Sequence, residues 1–115
     1  MLSLPSSVRI FLCLEPADMR RSFDGLARMT REVLQADPLS GHLFVFRNRR
    51  GDRLKILYWD RDGLALWYKR LERGVFAFPA PGDSPRVSVT PGELTLLLEG
   101  IEVASARRVK RYSLG

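Results

Sequence analysis

Cysteine is nearly missing from this sequence: Cys13 stands alone among 115 residues. One chain therefore cannot form an internal disulfide or a cysteine-based metal cluster, and a reducing compartment suits it. Histidine is as scarce. His42 is the single example, no Gly-x-Ser-x-Gly elbow accompanies it, and a nucleophile–histidine triad has little to be built from. Lysine is confined to Lys55, Lys69 and Lys110. Long apolar runs are absent too, with nothing approaching the ~20 residues of a membrane-spanning helix. Met1 to Pro5 lacks the basic start of a secretory signal. The expectation is a cytoplasmic protein without a membrane partner. Neither phosphate-binding Gly-x-x-x-x-Gly-Lys nor dinucleotide Gly-x-Gly-x-x-Gly occurs, so no cofactor is implied.

What is present is a globular composition, 45% hydrophobic and 28% charged, of a length suited to one domain. Lys and Arg number 19 against 13 Asp and Glu, for a net charge of +6. Because lysine is rare, the positive charge is almost all arginine, whose planar fork matches phosphate or carboxylate. Solubility and surface ion pairs would account for such a charge equally well until the positions of the arginines are considered.

The apolar pattern predicts an α+β fold in a single domain over residues 1–106, followed by a basic tail over 107–115. Val8 to Leu14 reads as a strand that ends at Glu15 and Pro16. From Ser22 to about Ala36, Phe23, Leu26, Ala27, Thr30, Val33 and Leu34 recur at helical spacing, and Asp37-Pro38 stops the run. Gly25 is out of place there, at a cost of about 1 kcal/mol relative to alanine. The period then falls to two. Leu43 to Arg47, Leu54 to Asp60, Leu64 to Leu71 and Val75 to Phe78 form an expected antiparallel meander, with turns at Asn48–Arg53, Asp60–Gly63 and Arg73-Gly74. Arg86 to Val89 adds a short edge strand, for about five or six in all. Thr90, Pro91 and Glu93 spell a capping box for a second helix, which Gly100 ends.

Arg47, Arg49, Arg50 and Arg53 crowd around Gly51 at one hairpin tip. Guanidinium groups that close repel one another, and an external anion would relieve them. A two-stranded ribbon also fits a DNA major groove. The alternatives are an acidic protein surface, or a solvated loop with Asp52 as local partner. Lys55, Trp59, Trp67 and Lys69 would add a basic–aromatic platform if they shared one side of the sheet; tryptophans in a meander otherwise serve the core. The candidate nucleic-acid contacts are thus Arg47, Arg49, Arg50, Arg53, Lys55, Lys69 and Arg70. Asp18, Asp24, Asp60, Asp62 and Glu72 could in principle supply a two-metal nuclease centre. Asp60-Arg61-Asp62-Gly63 opens like a calcium loop, but Leu71 occupies the twelfth position where an acid is needed, so a turn is the better reading.

Longer blocks carry a family likeness. Pro16-Ala17-Asp18-Met19-Arg20-Arg21-Ser22-Phe23-Asp24-Gly25-Leu26-Ala27, the stretch from Ser40 through Asp60, the continuation through Gly74, and Leu97-Leu98-Glu99-Gly100-Ile101 together resemble the TnpB-type accessory proteins, the second open reading frame of insertion sequence 66 elements. The resemblance runs from about Val8 to Ile101. It implies a role in DNA transposition beside a separate transposase that holds the catalytic acids, so that this chain does not cut DNA. Expected partners are DNA at the element ends, the transposase, and a second copy in a homo-oligomer. By position, Asp18, Met19, Arg20, Phe23, Asp24 and Gly25 match the first family block; Arg47, Arg49, Arg50, Asp52, Arg53, Lys55, Trp59 and Asp60 match the second. No role for any of them comes with the match.

Overall fold

The computed structural model describes residues 4–101; the basic tail at 107–115 lies outside them. Seven elements follow in the order β1 (Ile10–Cys13), α1 (Phe23–Glu32), β2 (Leu43–Arg47), β3 (Arg53–Asp60), β4 (Gly63–Arg70), β5 (Arg86–Val89) and α2 (Pro91–Leu98). The strands form one sheet in the order β4-β3-β2-β1-β5. Three of the four pairings are antiparallel, and β1–β2 is parallel, crossed over by α1. The expected α+β class stands, with β2–β3–β4 as its meander.

Strand alternation gives the sheet two apolar faces, and one helix covers each. Ile10, Leu12, Leu43, Val45, Leu54 and Ile56 meet Leu94, Leu97 and Leu98 of α2. On the other side Phe44, Phe46 and Leu57 meet Leu26, Ala27 and Met29 of α1. The capping box expected for α2 is complete: Glu93 N–H donates to Thr90 Oγ1 at 3.1 Å, and Thr90 N–H donates to Glu93 Oε1 at 2.9 Å. Helix α1 is shorter than its apolar period predicts, ending at Glu32 rather than Ala36. Gln35 takes a positive φ of 52° just beyond it, which no helix continues through. Phe23 is not in the stripe it was assigned to, being 43% exposed at the helix start.

Val75 to Phe78 is not a strand. The alternation there is real but serves another purpose. Gly74, at φ 76°, turns the chain back across the α2 face. Phe76 is then fully buried in the core, and its N–H donates to the carbonyl of Gly51 at 2.7 Å. The β2–β3 hairpin therefore does not project freely, because this segment backs its tip.

Candidate nucleic-acid interface

Asn48 sets the shape of the hairpin tip. Its Oδ1 accepts from the backbone N–H groups of Gly51 and Arg53, each at 3.0 Å, and its Nδ2 donates to Asp52 at 2.8 Å. That last contact holds the Asp52 carboxyl below its ordinary range. Gly51 has φ 82° and is buried, and a Cβ placed on it would lie 3.2 Å from Cβ of Val75. Only glycine satisfies both demands.

The seven basic residues expected to meet nucleic acid then divide. Arg47 points to the α2 face, where its Nη1 donates to the carbonyl of Phe76 at 2.8 Å and its guanidinium lies 4.6 Å from the Phe78 ring. Burial pulls its pKa down. Lys69 occupies the same face and donates to the carbonyl of Leu98 at 2.9 Å, at the C-terminal end of α2 where a cation is favoured. Lys55, on the α1 face, is only 6% exposed, and its Nζ donates to the carbonyls of Met19 and Arg21, both at 2.8 Å. All three cations already donate to backbone carbonyls of the protein, Lys55 from a buried position and Arg47 and Lys69 from half-buried ones.

Arg49, Arg50, Arg53 and Arg70 remain. Arg49 and Arg50 are exposed and make no hydrogen bond or ion pair with other described residues. Arg53 and Arg70 stand directly opposite on β3 and β4. Arg53 Nη1 donates to the hydroxyl of Tyr68 at 2.8 Å, which raises the pKa of Arg53, and Arg70 pairs with Glu72 at 3.0 Å. Both members of that last pair are more than half exposed, so it contributes little and yields readily to a stronger anion.

The conditional basic–aromatic platform fails on register. Lys55 lies opposite Tyr68, and Ile56 opposite Trp67. Side chains opposite each other share a face, so Lys55 and Trp59 face α1 while Trp67 and Lys69 face α2. Tyr68 is the aromatic that joins Lys55, its ring centroid 4.7 Å from Nζ. Composition alone gave no reason to choose it; the two-residue turn at Arg61-Asp62 does, by fixing the pairing.

The first family block is tied to this region through Lys55 and through Ala17, whose N–H donates to the carbonyl of Arg47 at 2.9 Å. Asp18 accepts from Arg20 Nη2 at 2.6 Å, which lowers its pKa to about 2. Gly25 is explained by Arg21, whose Cβ would stand 3.0 Å from an added Cβ. Between this block, the end of α1 and the hairpin tip lies a cleft of about 660 Å³. Arg21, Arg49 and Arg50 line it together with Glu15, Asp18 and Glu32. Arg21, Glu15 and Glu32 escaped sequence reasoning because nothing in their local spacing links them to the hairpin.

Trp59 is half-buried near the β3–β4 turn and Asp60, the last residue of β3, is exposed. Among the described residues no group of three His, Cys, Asp or Glu side chains is positioned to hold a metal ion. His42 accepts from the Arg9 N–H at 2.9 Å and packs edge-on to Phe11, a structural position at the entrance of β2. No helix among the described residues is long and apolar enough to cross a membrane.

A small open sheet with a helix on each face and four arginines grouped at one end defines an α+β protein with a basic edge. The chain matches the family described as IS66 Orf2 like protein over residues 8–108, and it belongs to that family. Membership supports an accessory role in insertion-sequence transposition, alongside the rest of that machinery. Two relatives come from Sinorhizobium fredii (strain NBRC 101917 / NGR234). The protein called uncharacterized protein y4hO is 40% identical over 102 residues, covering 89% of this chain and 88% of its own. Uncharacterized protein y4jC is 39% identical over 113 residues, covering 96% of each. No solved structure matches the chain.

Proposed function

We propose that this chain acts in insertion-sequence transposition as a non-catalytic, cytoplasmic DNA-binding subunit, with Arg49, Arg50, Arg53 and Arg70 clamping backbone phosphates. The observation that carries the reading is the exposure of Arg49 and Arg50, neither of which forms a hydrogen bond or close ion pair with another described residue, at a tip that Asn48 and Phe76 hold in shape. Because the backbone of the tip is already fixed, binding a phosphate there orders only the two side chains and not the loop. Arg53 and Arg70 extend the row along the sheet edge. DNA affinity should fall steeply as salt rises, and each arginine replaced by alanine should lower the log–log slope by about one. Fluorescence anisotropy on a labelled element end, across a salt series, tests this. An affinity indifferent to salt, or an unchanged slope in Arg49→Ala with Arg50→Ala, would overturn it.

One observation favours a second reading. Glu15, Asp18 and Glu32 line the same cleft as Arg21, Arg49 and Arg50, and carboxylates repel phosphate but complement a mixed-charge protein surface. In that reading the cleft receives the transposase. Co-purification of the two proteins from nuclease-treated extract is then expected, and its loss in Glu15→Lys with Glu32→Lys would assign the contact to the cleft.

A further inference from the structure

The β3–β4 edge carries a feature that phosphate clamping does not use. Tyr68 is 45% exposed, whereas Lys55 beneath it is 6% exposed. The Lys55 cation lies 4.7 Å from the ring centroid, and the residue nonetheless keeps almost half of its surface in solvent. The hydroxyl is held by Arg53 at 2.8 Å. Arg53 and Arg70 flank the ring, and with Glu72 the group borders a shallow depression of about 330 Å³. An aromatic ring is here held by two cations, Arg53 at its hydroxyl and Lys55 over its ring, and still half-exposed.

We infer that Tyr68 is a stacking platform for an unpaired base, so that the DNA recognised at this edge is single-stranded. This rests on the DNA-binding reading and names its substrate class. The bases of a duplex are already stacked and offer no free π-face, whereas each base of a single strand does. The hydrogen bond to Arg53 and the cation below remove the ring's freedom before binding, so little order remains to be gained. With the base on Tyr68, the phosphates on either side of that nucleotide meet Arg53 and Arg70. Arg70 exchanges Glu72 for the phosphate. Unpaired DNA at the ends of a mobile element is the form such a site would take.

The test is anisotropy with a labelled oligothymidine of about a dozen nucleotides, within the range one small domain covers, against a duplex of equal length. Tyr68→Ala should weaken single-strand binding about tenfold, as loss of one stacked base does, and change duplex binding less than about twofold. Tyr68→Phe keeps the ring and should retain most of the affinity. Thermal melts of both variants distinguish lost stacking from lost fold. Arg49→Ala with Arg50→Ala should weaken both probes. If Tyr68→Ala leaves single-strand binding intact, or weakens both probes equally while the melt is unchanged, the platform is disproved and phosphate clamping survives. If the unaltered protein binds neither probe, the DNA-binding reading fails and the platform with it.

Discussion

The ammonium of Lys55 reaches from the middle of β3 to the carbonyl oxygen of Met19, 36 positions earlier in the chain, at 2.8 Å. A second bond, to Arg21, makes this lysine the clasp between the loop before α1 and the sheet. Both family blocks depend on it. Lys55→Met keeps the apolar stem but leaves two carbonyls without their charged donor, and should cost about 2–3 kcal/mol of stability, read from urea denaturation. Lys55→Arg, which replaces a compact ammonium by a broad planar group, should not restore it in full.

Gly51 and Gly74 both adopt positive φ, yet only Gly51 has a neighbour where a Cβ would go. Alanine at either position pays for the left-handed conformation, of order 1–2 kcal/mol. Gly51→Ala should cost about 1 kcal/mol more than Gly74→Ala, since Val75 must also move. Equal losses would show that the hairpin tip yields to Val75 without resistance.

Asp18 titrates near 2 because Arg20 holds its charged form. Its folded pKa lies below the ordinary value of about 3.9. The contribution is therefore present above about pH 4 and lost as pH falls through 2. The pair is solvent-exposed, so its share is small. Asp18→Asn should leave stability at pH 7 nearly unchanged and flatten the acid limb between pH 4 and 2, measured by denaturant titration.

Cys13 shows the opposite sign. Burial in β1 pushes its thiol up to about 11. A raised folded pKa means that its contribution holds below the unfolded value near 8.5 and is lost as pH climbs through 11. The native protein should react with a thiol reagent at pH 8 only through unfolding, and promptly once denaturant is added. Fast labelling of the native state would mean that β1 opens readily.

Periodicity made most of the fold legible. The strand-forming runs, the helical stripe of α1 and the capping box of α2 are all written in local spacing. What spacing could not carry was pairing and destination. Val75 to Phe78 has the alternation of a strand, but the N–H of Phe76 donates to Gly51 and its ring enters the core, while Val75 stays exposed. Lys55 and Lys69 resemble Arg49 and Arg50 in charge, yet their side chains leave a sheet covered on both faces and must end on backbone carbonyls. The arginines beyond the strand ends had no such obligation. Tyr68 was hidden for the same reason, since its significance lies in what stands across the ladder from it.

Strand β1 is the first made and the last to be completed. It lies inside the sheet, bonded to β2 on one side and to β5 on the other, and Ile10 must wait for Val89 to fill its open edge. On the ribosome, a chain halted before β5 exposes an interior strand as a raw edge that any extended peptide can join. Early termination would thus yield an adhesive fragment, and the segment that carries β5 decides whether the product stays separate from its neighbours.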